Sequence, residues 1–409
     1  MEMSNKKQQI PAIRFNGFTD AWEQRKLGEI SESYSGGTPS VANHSYYGGS
    51  IPFIRSAEIN SKNTELYLTE EGLNNSSAKL VEEGDILYAL YGATSGEVGI
   101  SQINGAINQA ILAIKPKIEY DSNFIMQWLR RQKNSIISTY LQGGQGNLSG
   151  GIVKDLTLYA PTEYEEQTKI GSFFKQLDNT IALHQRQLNN HKELKKTLLQ
   201  KMFPQNGEKL PQVRFDGFTE VWEQRNVSEI TKFHKQGYYT KETYGDNKKY
   251  FLLRGTEMTS NKLVLNETPK INATEKDYQD FKVEKGDFLI VRSGTVGTYG
   301  IVYDDIKAIF GSYLINFRFD KSVVTNEFFG LFYQSELFKS QLNKIIQKSS
   351  NVNINAENIK SINIKIPSIE EQQKIGSFFK QLDETIALHQ QKLNDYKQLK
   401  KFMLQKMFI

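Results

Sequence analysis

The chain has 409 residues, a net charge of +5 and a pI of about 8.9, and 38% of its residues are hydrophobic. This length allows two or three domains, the apolar content argues against a disordered protein, and the lack of cysteine excludes disulfides, thiolate nucleophiles and cysteine-ligated zinc. A polar N-terminus and the lack of any apolar run near ~20 residues predict neither a signal peptide nor a membrane span, so a cytoplasmic location is expected.

Residues 1–160, the first lobe, have a mixed α/β pattern. Runs rich in β-branched and aromatic residues at 86–92 and 110–116 predict strands, and the apolar spacing over 123–141 predicts a helix. The loops beside these strands are rich in polar and aromatic residues, whose side chains can hydrogen-bond to phosphates and base edges. The candidate binding residues of this lobe are Thr38, Tyr46, Tyr47, Arg55, Tyr91, Ser95, Asn108, Gln109, Gln145 and Asn147.

Residues 161–204 are predicted to form a long helix. It begins with a capping box from Thr162 to Glu165 and ends before Pro204, because proline cannot continue a helix. Apolar residues recur at alternating steps of four and three, which indicates a coiled-coil seam. The apolar seam positions are Ile170, Phe174, Leu177, Ile181, Leu188 and Leu198, and the seam also includes His184, His191 and Lys195.

Residues 205–366 comprise a linker and a second α/β lobe. Strands are predicted at 288–294 and 313–319, and a helix at 326–346. Its polar loops again supply groups that can bind an anionic or hydrogen-bonding partner. The candidate binding residues of this lobe are Lys235, Tyr238, Tyr239, Lys241, Arg254, Arg292, Ser293, Thr295, Ser312, Tyr313, Lys348, Ser350 and Asn351.

Residues 367–409 are predicted to form a second long helix, with a capping box from Ser368 to Glu371. His389 matches His184 in the first helix, but Tyr396 replaces His191, which argues against a shared metal site. We expect these polar seam residues to set the helix register. The apolar seam positions are Ile375, Phe379, Leu382, Ile386, Leu393 and Met403, and the seam also includes His389, Tyr396 and Lys400.

The chain is an internal repeat in which some segments stayed alike and others diverged. Residues 14–30 match 214–230 at eleven of seventeen positions, and 165–203 match 370–408 at thirty of thirty-nine. Neutral drift would blur all regions about equally. We therefore interpret the similar segments as having the same function in both copies. The divergent lobes are interpreted as having two different functions.

The two long helices are each about 58 Å long at a rise of 1.5 Å per residue. Because a lobe lies between them in sequence, an antiparallel pair is favoured over a parallel one. The predicted fold is therefore two α/β lobes separated by a pair of antiparallel coiled-coil helices with a pseudo-two-fold axis. The two helix segments carry the entire excess positive charge, so a lobe that binds nucleic acid must use local patches.

Motifs for catalysis are absent from the sequence. The chain contains no P-loop, no dinucleotide-binding fingerprint, no Gly-x-Ser-x-Gly elbow and no His-Glu-x-x-His. It also has no Asn/Asp-Pro-Pro-Tyr motif of amino-methyltransferases. We therefore expect a chain without an active site.

The whole pattern resembles the specificity subunit of type I restriction-modification systems. The most specific matches are the duplicated segments at 161–178 and 367–383, in which Pro-Thr or Pro-Ser precedes Glu-Glu-Gln-x-Lys-Ile-Gly-Ser-Phe-Phe-Lys-Gln-Leu-Asp. The run Gly36-Gly37-Thr38-Pro39-Ser40 and the Gly-Asp-x-Leu turns at Gly84 and Gly286 are also similar to that family. The second lobe has Lys235-Gln236-Gly237-Tyr238 in place of the first run.

This resemblance implies a division of labour. Residues 1–160 and 205–366 would be target recognition domains, each reading one half of a split site in double-stranded DNA. The helices at 161–204 and 367–409 would fix the gap between the halves and dock two methyltransferase subunits, and two restriction-translocase subunits could join. S-adenosylmethionine, ATP and Mg²⁺ would be held by those partners, while this chain would hold no cofactor and no metal.

Two alternatives remain open from the sequence. The first is a stand-alone DNA methyltransferase or nuclease, which would be active on DNA without partners. The second is a coiled-coil adaptor whose two lobes bind ligands other than DNA, for which binding would lack the steep salt dependence of phosphate contacts.

Overall fold

The computed structural model describes residues 10–141, 147–205, 207–259, 261–292, 298–347 and 354–409. The candidate residues outside these ranges are Gln145, Ser293, Thr295, Lys348, Ser350 and Asn351. The chain forms two compact units. Unit 1 consists of the residues up to Arg186 together with Gln390–Ile409, and unit 2 consists of Gln187–His389.

Unit 1 contains the first lobe and parts of both long helices. Its strands are β1 (Glu23–Lys26), β2 (Ser31–Ser35), β3 (Tyr47–Ile54), β4 (Tyr67–Leu68), β5 (Lys79–Val81), β6 (Ile86–Ala89), β7 (Val98–Ile100), β8 (Gly105–Ile107), β9 (Ile111–Pro116) and β10 (Thr157–Ala160). Its helices are α1 (Leu27–Ile30), α2 (Glu70–Asn74), α3 (Ser122–Tyr140), α4 (Gly150–Lys154) and the first part of α5 (Tyr164–Lys201).

Unit 2 contains the second lobe and the remaining parts of the long helices. Its strands are β11 (Glu223–Asn226), β12 (Thr231–Gln236), β13 (Tyr250–Leu253), β14 (Met258–Thr259), β15 (Lys262–Leu263), β16 (Lys270–Ile271), β17 (Phe288–Val291), β18 (Tyr299–Ile301), β19 (Ala308–Phe310), β20 (Leu314–Phe319) and β21 (Asn363–Ile366). Its helices are α6 (Glu275–Phe281), α7 (Asn326–Gln334), α8 (Glu336–Gln347), α9 (Ala356–Lys360) and the first part of α10 (Ile369–Lys406).

The two lobes share a sheet framework despite their divergent sequences. An antiparallel sheet of order β2-β9-β6-β7 in unit 1 corresponds to β12-β20-β17-β18 in unit 2. A parallel pair also occurs in each lobe, β3 with β8 and β13 with β19. A two-stranded sheet joins the start of each lobe to its end, β1 with β10 and β11 with β21. The predicted α/β class is therefore confirmed.

The long helices pair in an antiparallel sense within each unit. In unit 1, Asp178 of α5 contacts Lys400 of α10, and further along α5 the ring of His184 stacks on Tyr396 at 5.5 Å between ring centroids. In unit 2, His191 stacks on His389 at 5.2 Å, and Lys195 contacts Asp383. As residue numbers rise on one helix they fall on the other, which confirms the predicted orientation.

The seam between the helices follows the predicted heptad positions. The buried members are Ile170, Phe174, Leu177, Leu188, Ile375, Phe379, Leu382 and Leu393, and the partly buried members are Ile181, Leu198, Ile386 and Met403. Two phenylalanines that follow the helices complete the lobe cores. Phe408 packs beside Trp22 and Phe124 in unit 1, and Phe203 packs beside Trp222 and Phe328 in unit 2.

Three local predictions need correction. Ser368 Oγ accepts a hydrogen bond from the Glu371 amide at 3.3 Å, but the Glu371 carboxylate binds Arg214 instead of returning to the cap. Glu165 pairs with Lys169 one turn later, so the first capping box is also incomplete. The helix predicted over 326–346 is broken between α7 and α8, where the Ser335 hydroxyl caps α8 by accepting from the Phe338 amide.

Candidate nucleic-acid interface

Many candidate residues of the first lobe lie at one end of the β2-β9-β6-β7 sheet. The Gly36 amide donates to the Asn108 carbonyl at 3.3 Å, which joins the end of β2 to the turn before β9. Thr38 Oγ1 donates to Gln109 Oε1 at 2.7 Å, and Tyr91 forms a β-bridge with Asn147. We call this sheet end, with residues 36–38, 90–91 and 108–110, the first loop edge.

The second lobe has a matching second loop edge, formed by residues 237–239, 292 and 311–313. The Gly237 amide donates to the Leu314 carbonyl, and the Arg292 amide donates to the Tyr313 carbonyl, both at 2.9 Å. Tyr313 is 62% exposed and Tyr239 is 69% exposed. The corresponding bond in the first edge runs from the Leu90 amide to the Ala110 carbonyl at 2.8 Å. Both edges are therefore built at the same strand ends of corresponding sheets, but they present different side chains.

One glycine in each lobe holds its loop edge in place. A Cβ on Gly36 would lie 1.8 Å from the Ile107 carbonyl oxygen, and a Cβ on Gly237 would lie 2.0 Å from the Gly311 carbonyl oxygen. Neither position can accept a side chain without backbone movement, because the opposing atoms belong to the backbone. The unlike runs Gly36-Gly37-Thr38 and Gly237-Tyr238-Tyr239 thus begin at equivalent places in the fold.

Arg55 and Arg254 hold equivalent ion pairs that follow β3 and β13. Arg55 Nη2 lies 2.8 Å from Glu58 Oε1, and Arg254 Nη2 lies 2.8 Å from Glu257 Oε1. Burial raises the pKa of Glu58, but hydrogen bonds from Arg55, Glu65 and Thr64 outweigh it and lower this pKa to about 2. These arginines are therefore committed to an internal carboxylate, which competes with any contact to a base.

The remaining described candidates vary in how free their side chains are. Tyr47 donates to the Pro39 carbonyl at 2.7 Å, and burial raises its pKa. Ser95 is buried and donates to the Gly92 carbonyl, and Lys235 lies 4.1 Å from the Phe281 ring centroid. Tyr46 and Ser312 are partly exposed, and Lys241 is exposed.

Sequence reasoning missed a buried ion pair at the start of each long helix. Arg14 binds Glu166 through two hydrogen bonds of 2.7 and 2.8 Å, and Arg214 binds Glu371 through two of 2.8 and 2.7 Å. Both glutamates are 1% exposed, and hydrogen bonding to them raises the pKa of each arginine. The sequence did contain a signal for this ion pair, because the arginine and the glutamate both recur at the same positions of the two repeat copies.

The part of the chain that the structure describes does not bring together three or more His, Cys, Asp or Glu side chains that could hold a metal ion. The stacked histidines of the seam instead contact aromatic rings of the opposing helix. In the same part of the chain, no helix is both long and apolar enough to span a membrane.

The sequence matches the family model described as type I restriction modification DNA specificity domain, at residues 19–193 and 219–398. The MjaVIII specificity subunit of Methanocaldococcus jannaschii is 20% identical over 391 residues, which cover 93% of this chain and 90% of that protein. The EcoBI specificity subunit of Escherichia coli is 20% identical over 386 residues, covering 89% and 79%.

Solved structures agree on the fold. The S subunit of a type I restriction-modification system from M. genitalium aligns with a TM-score of 0.64 at 15% identity, over 98% of this chain and 99% of that one. A second structure, solved for complex assembly and conformational transition of the type I R-M system, aligns at 0.50 and 16% identity over 96% and 99%.

Two similar α/β lobes, each followed in the chain by a long helix, define a protein with an internally repeated architecture. The chain belongs to the type I restriction-modification DNA specificity domain family, of which it carries two copies. The family resemblance predicted from the sequence is therefore confirmed.

Proposed function

We propose that this chain is the DNA-reading subunit of a type I restriction-modification complex, with each lobe reading one half of a bipartite target. One observation carries the proposal: the two loop edges lie at the same strand ends of corresponding sheets but differ in their exposed side chains. Such an arrangement suits two readers that dock alike and recognise different bases. Family membership supports the same role.

The proposed division of the chain follows from this role. Residues 1–160 and 205–366 are the two target recognition domains, and residues 161–204 and 367–409 are the helices that separate the half-sites. Each helix has 38 residues and is therefore about 57 Å long, which is more than one turn of duplex DNA.

The residues proposed to contact DNA are candidates of the two loop edges, together with Asn147, which forms a β-bridge with Tyr91 of the first edge. In the first lobe they are Thr38, Tyr91, Asn108, Gln109 and Asn147, and in the second they are Tyr238, Tyr239, Arg292, Ser312 and Tyr313. Arg55 and Arg254 are assigned a supporting role, because each already binds a glutamate. The candidates outside the described residues stay predictions.

The proposed partners are two methyltransferase subunits and, for cleavage, two restriction-translocase subunits. Leucines at equal repeat positions on the long helices support docking there: Leu183 and Leu388 are 47% and 49% exposed, and Leu194 and Leu399 are 46% and 42% exposed. Exposed apolar residues at matching places suit two copies of one partner. S-adenosylmethionine, ATP and Mg²⁺ would be bound by those partners, in the cytoplasm.

A lobe exchange tests the proposal. Residues 31–160 are replaced by the corresponding lobe of another specificity subunit, and the methylated adenines are mapped in a host that also supplies the partners. We expect one half of the target to change and the other half to stay. If both halves changed together, or if neither did, the proposal of two independent readers would be wrong.

A point variant refines the test. Arg292→Ala should weaken discrimination within one half-site by about 1–3 kcal/mol if this arginine contacts a base. Arg225→Ala is the matched control, because Arg225 lies in β11 away from the loop edge and pairs with Glu223. Equal effects of the two variants would remove Arg292 from the interface.

The same preparations decide between the proposal and its alternatives. Activity of the chain alone with S-adenosylmethionine or Mg²⁺ would indicate a stand-alone methyltransferase or nuclease. A flat response of affinity to salt would favour an adaptor that does not bind DNA.

A further inference from the structure

A basic cleft lies between the helices and the second lobe within unit 2. It has a volume of about 540 Å³. Lys192, Lys195 and Lys196 of α5 line one side, and Lys339 of α8 lines the other. We call these four side chains and the space between them the lysine cleft.

We infer that the lysine cleft binds the phosphate backbone of duplex DNA beside the half-site read by the second lobe. This inference rests on the proposed function, because it assumes that the second lobe binds DNA. It adds a contact made partly by the helix, outside the loop edges.

The cleft carries excess positive charge. Lys195 Nζ lies 2.7 Å from Asp383 Oδ1, and Lys339 Nζ lies 2.8 Å from Glu336 Oε1. Asp383 and Glu336 are the acidic residues among the described lining of the cleft, so both carboxylates are already neutralised by a lysine. Lys192 and Lys196 have no ion pair within the described part of the chain, which leaves two uncompensated ammonium groups in one concave surface.

The composition of the cleft favours nucleic acid over an acidic protein. Cores of protein interfaces are depleted in lysine and enriched in aromatic residues and arginine. The described lining of the cleft contains four lysines and neither an aromatic residue nor an arginine. Flexible ammonium groups without fixed geometry are suited to a row of phosphates, which carry a charge at every nucleotide.

The place of the cleft along the chain fits a contact that flanks the reading edge. Thr298 lines the cleft, and in sequence it follows Thr295, a predicted DNA-contacting residue, by three positions. A phosphate contact at this place would fix the register of the duplex without reading its sequence.

The test compares two double variants in the full chain assembled with its methyltransferase partners. Lys192→Gln/Lys196→Gln removes two charges from the cleft. Lys209→Gln/Lys285→Gln, the control, removes two charges from exposed positions of unit 2 that do not line the cleft. The affinity of each complex is measured from about 50 to 300 mM salt for two fluorescent duplexes, one of about 30 base pairs with random sequence and one that contains the mapped target. Each phosphate contact releases roughly one counterion, so the salt dependence of the affinity counts these contacts.

We expect the cleft variant to reduce the slope of log affinity against log salt by about two, equally for both duplexes. The control variant should change the slope by less than half as much. Adding Lys339→Gln to the cleft variant should lower the slope by about one more. Equal effects of the two double variants, or no effect of the cleft variant, would overturn the inference.

Assembly and folding are measured on the same samples. Loss of the methyltransferase subunits from the cleft variant in size-exclusion chromatography would show that an acidic protein surface occupies the cleft, and the inference would be wrong. Lys192→Arg/Lys196→Arg should restore the salt slope, because it restores charge. If the wild-type complex itself bound DNA without salt dependence, the proposed function would fail first.

Discussion

Units 1 and 2 place the same repeated aspartate in different surroundings. In unit 1, Asp178 accepts hydrogen bonds from Gln127 at 2.9 Å, Arg130 at 2.7 Å and Lys400 at 2.5 Å. Gln127 and Arg130 belong to α3 of the first lobe, so this carboxylate ties the lobe to both long helices. Burial raises the pKa of Asp178, but its three partners outweigh that effect and lower it.

In unit 2 the equivalent Asp383 is bound by Lys195 alone among its described hydrogen-bond partners. Counting from the helix N-caps, the positions of Gln127 and Arg130 correspond to Leu331 and Gln334. Gln334 donates to the Tyr299 hydroxyl instead. The repeated aspartate of the helices thus pairs with a lysine of the opposing helix in both units. The contacts between lobe and helices differ, however: they are polar in the first lobe and largely apolar in the second.

The largest expected effect concerns the buried arginine–glutamate ion pair that both units contain. Arg14→Ala and Arg214→Ala should each lower the free energy of unfolding of their own unit by about 3–5 kcal/mol, because each leaves a buried glutamate without its cationic partner. Denaturant unfolding of the full chain measures this loss, with the exposed Arg25→Ala as control. Markedly unequal losses of unfolding free energy would show that this buried ion pair does not stabilise the two units equally.

The next effect sharpens the difference between the units. Asp178→Asn should cost about 2–4 kcal/mol, because it leaves Arg130 and the half-buried Lys400 facing each other without an anion. Asp383→Asn should cost only about 1 kcal/mol, since it breaks one described pair. Similar losses in thermal unfolding would contradict the polar and apolar modes of attachment.

Acid should reveal a smaller effect in the first lobe. The pKa of Glu58 is lowered to about 2 in the folded chain, below its ordinary value of 4.5. Its stabilising contribution is therefore complete above pH 4.5 and is lost as the pH falls towards 2. Glu58→Gln should remove that part of the acid dependence, and the outcome is read from unfolding curves between pH 2 and 6.

The smallest effect concerns two matching tryptophans. Trp22 Nε1 donates to Glu166 Oε1 at 3.4 Å, whereas the buried Nε1 of Trp222 has no hydrogen-bond partner among the described atoms. Trp22→Phe should therefore cost about 1 kcal/mol more than Trp222→Phe, because both lose the same volume but only one loses a hydrogen bond. Equal costs would mean that this long hydrogen bond contributes nothing.

The sequence predicted the repeated parts of the molecule better than the divergent parts. The helices were found because a seam such as Ile170, Phe174 and Leu177 repeats over many turns and is copied twice. The sequence pointed to the runs at 36–40 and 235–238 as counterparts, but it did not show that Gly36 and Gly237 occupy equivalent backbone positions, because the two runs are unlike. Their equivalence depends on backbone atoms of Ile107 and Gly311, which are far away in sequence.

The ion pairs show a second limit. Arg55 and Arg254 have the residue type expected of a base contact, and only the structure reveals Glu58 and Glu257 beside them. Residue type indicates which contacts are possible. The three-residue turns after β3 and β13 decide which contact is made.

The division of the chain also sets an order of events during synthesis. Unit 2 is one continuous segment, Gln187–His389, whereas unit 1 needs Gln390–Ile409 to complete its core around Phe408. Domains usually fold in the order in which they leave the ribosome. Here the domain that is begun first is completed after the second, so the nascent first lobe keeps an open apolar surface until residues 390–409 have been synthesised.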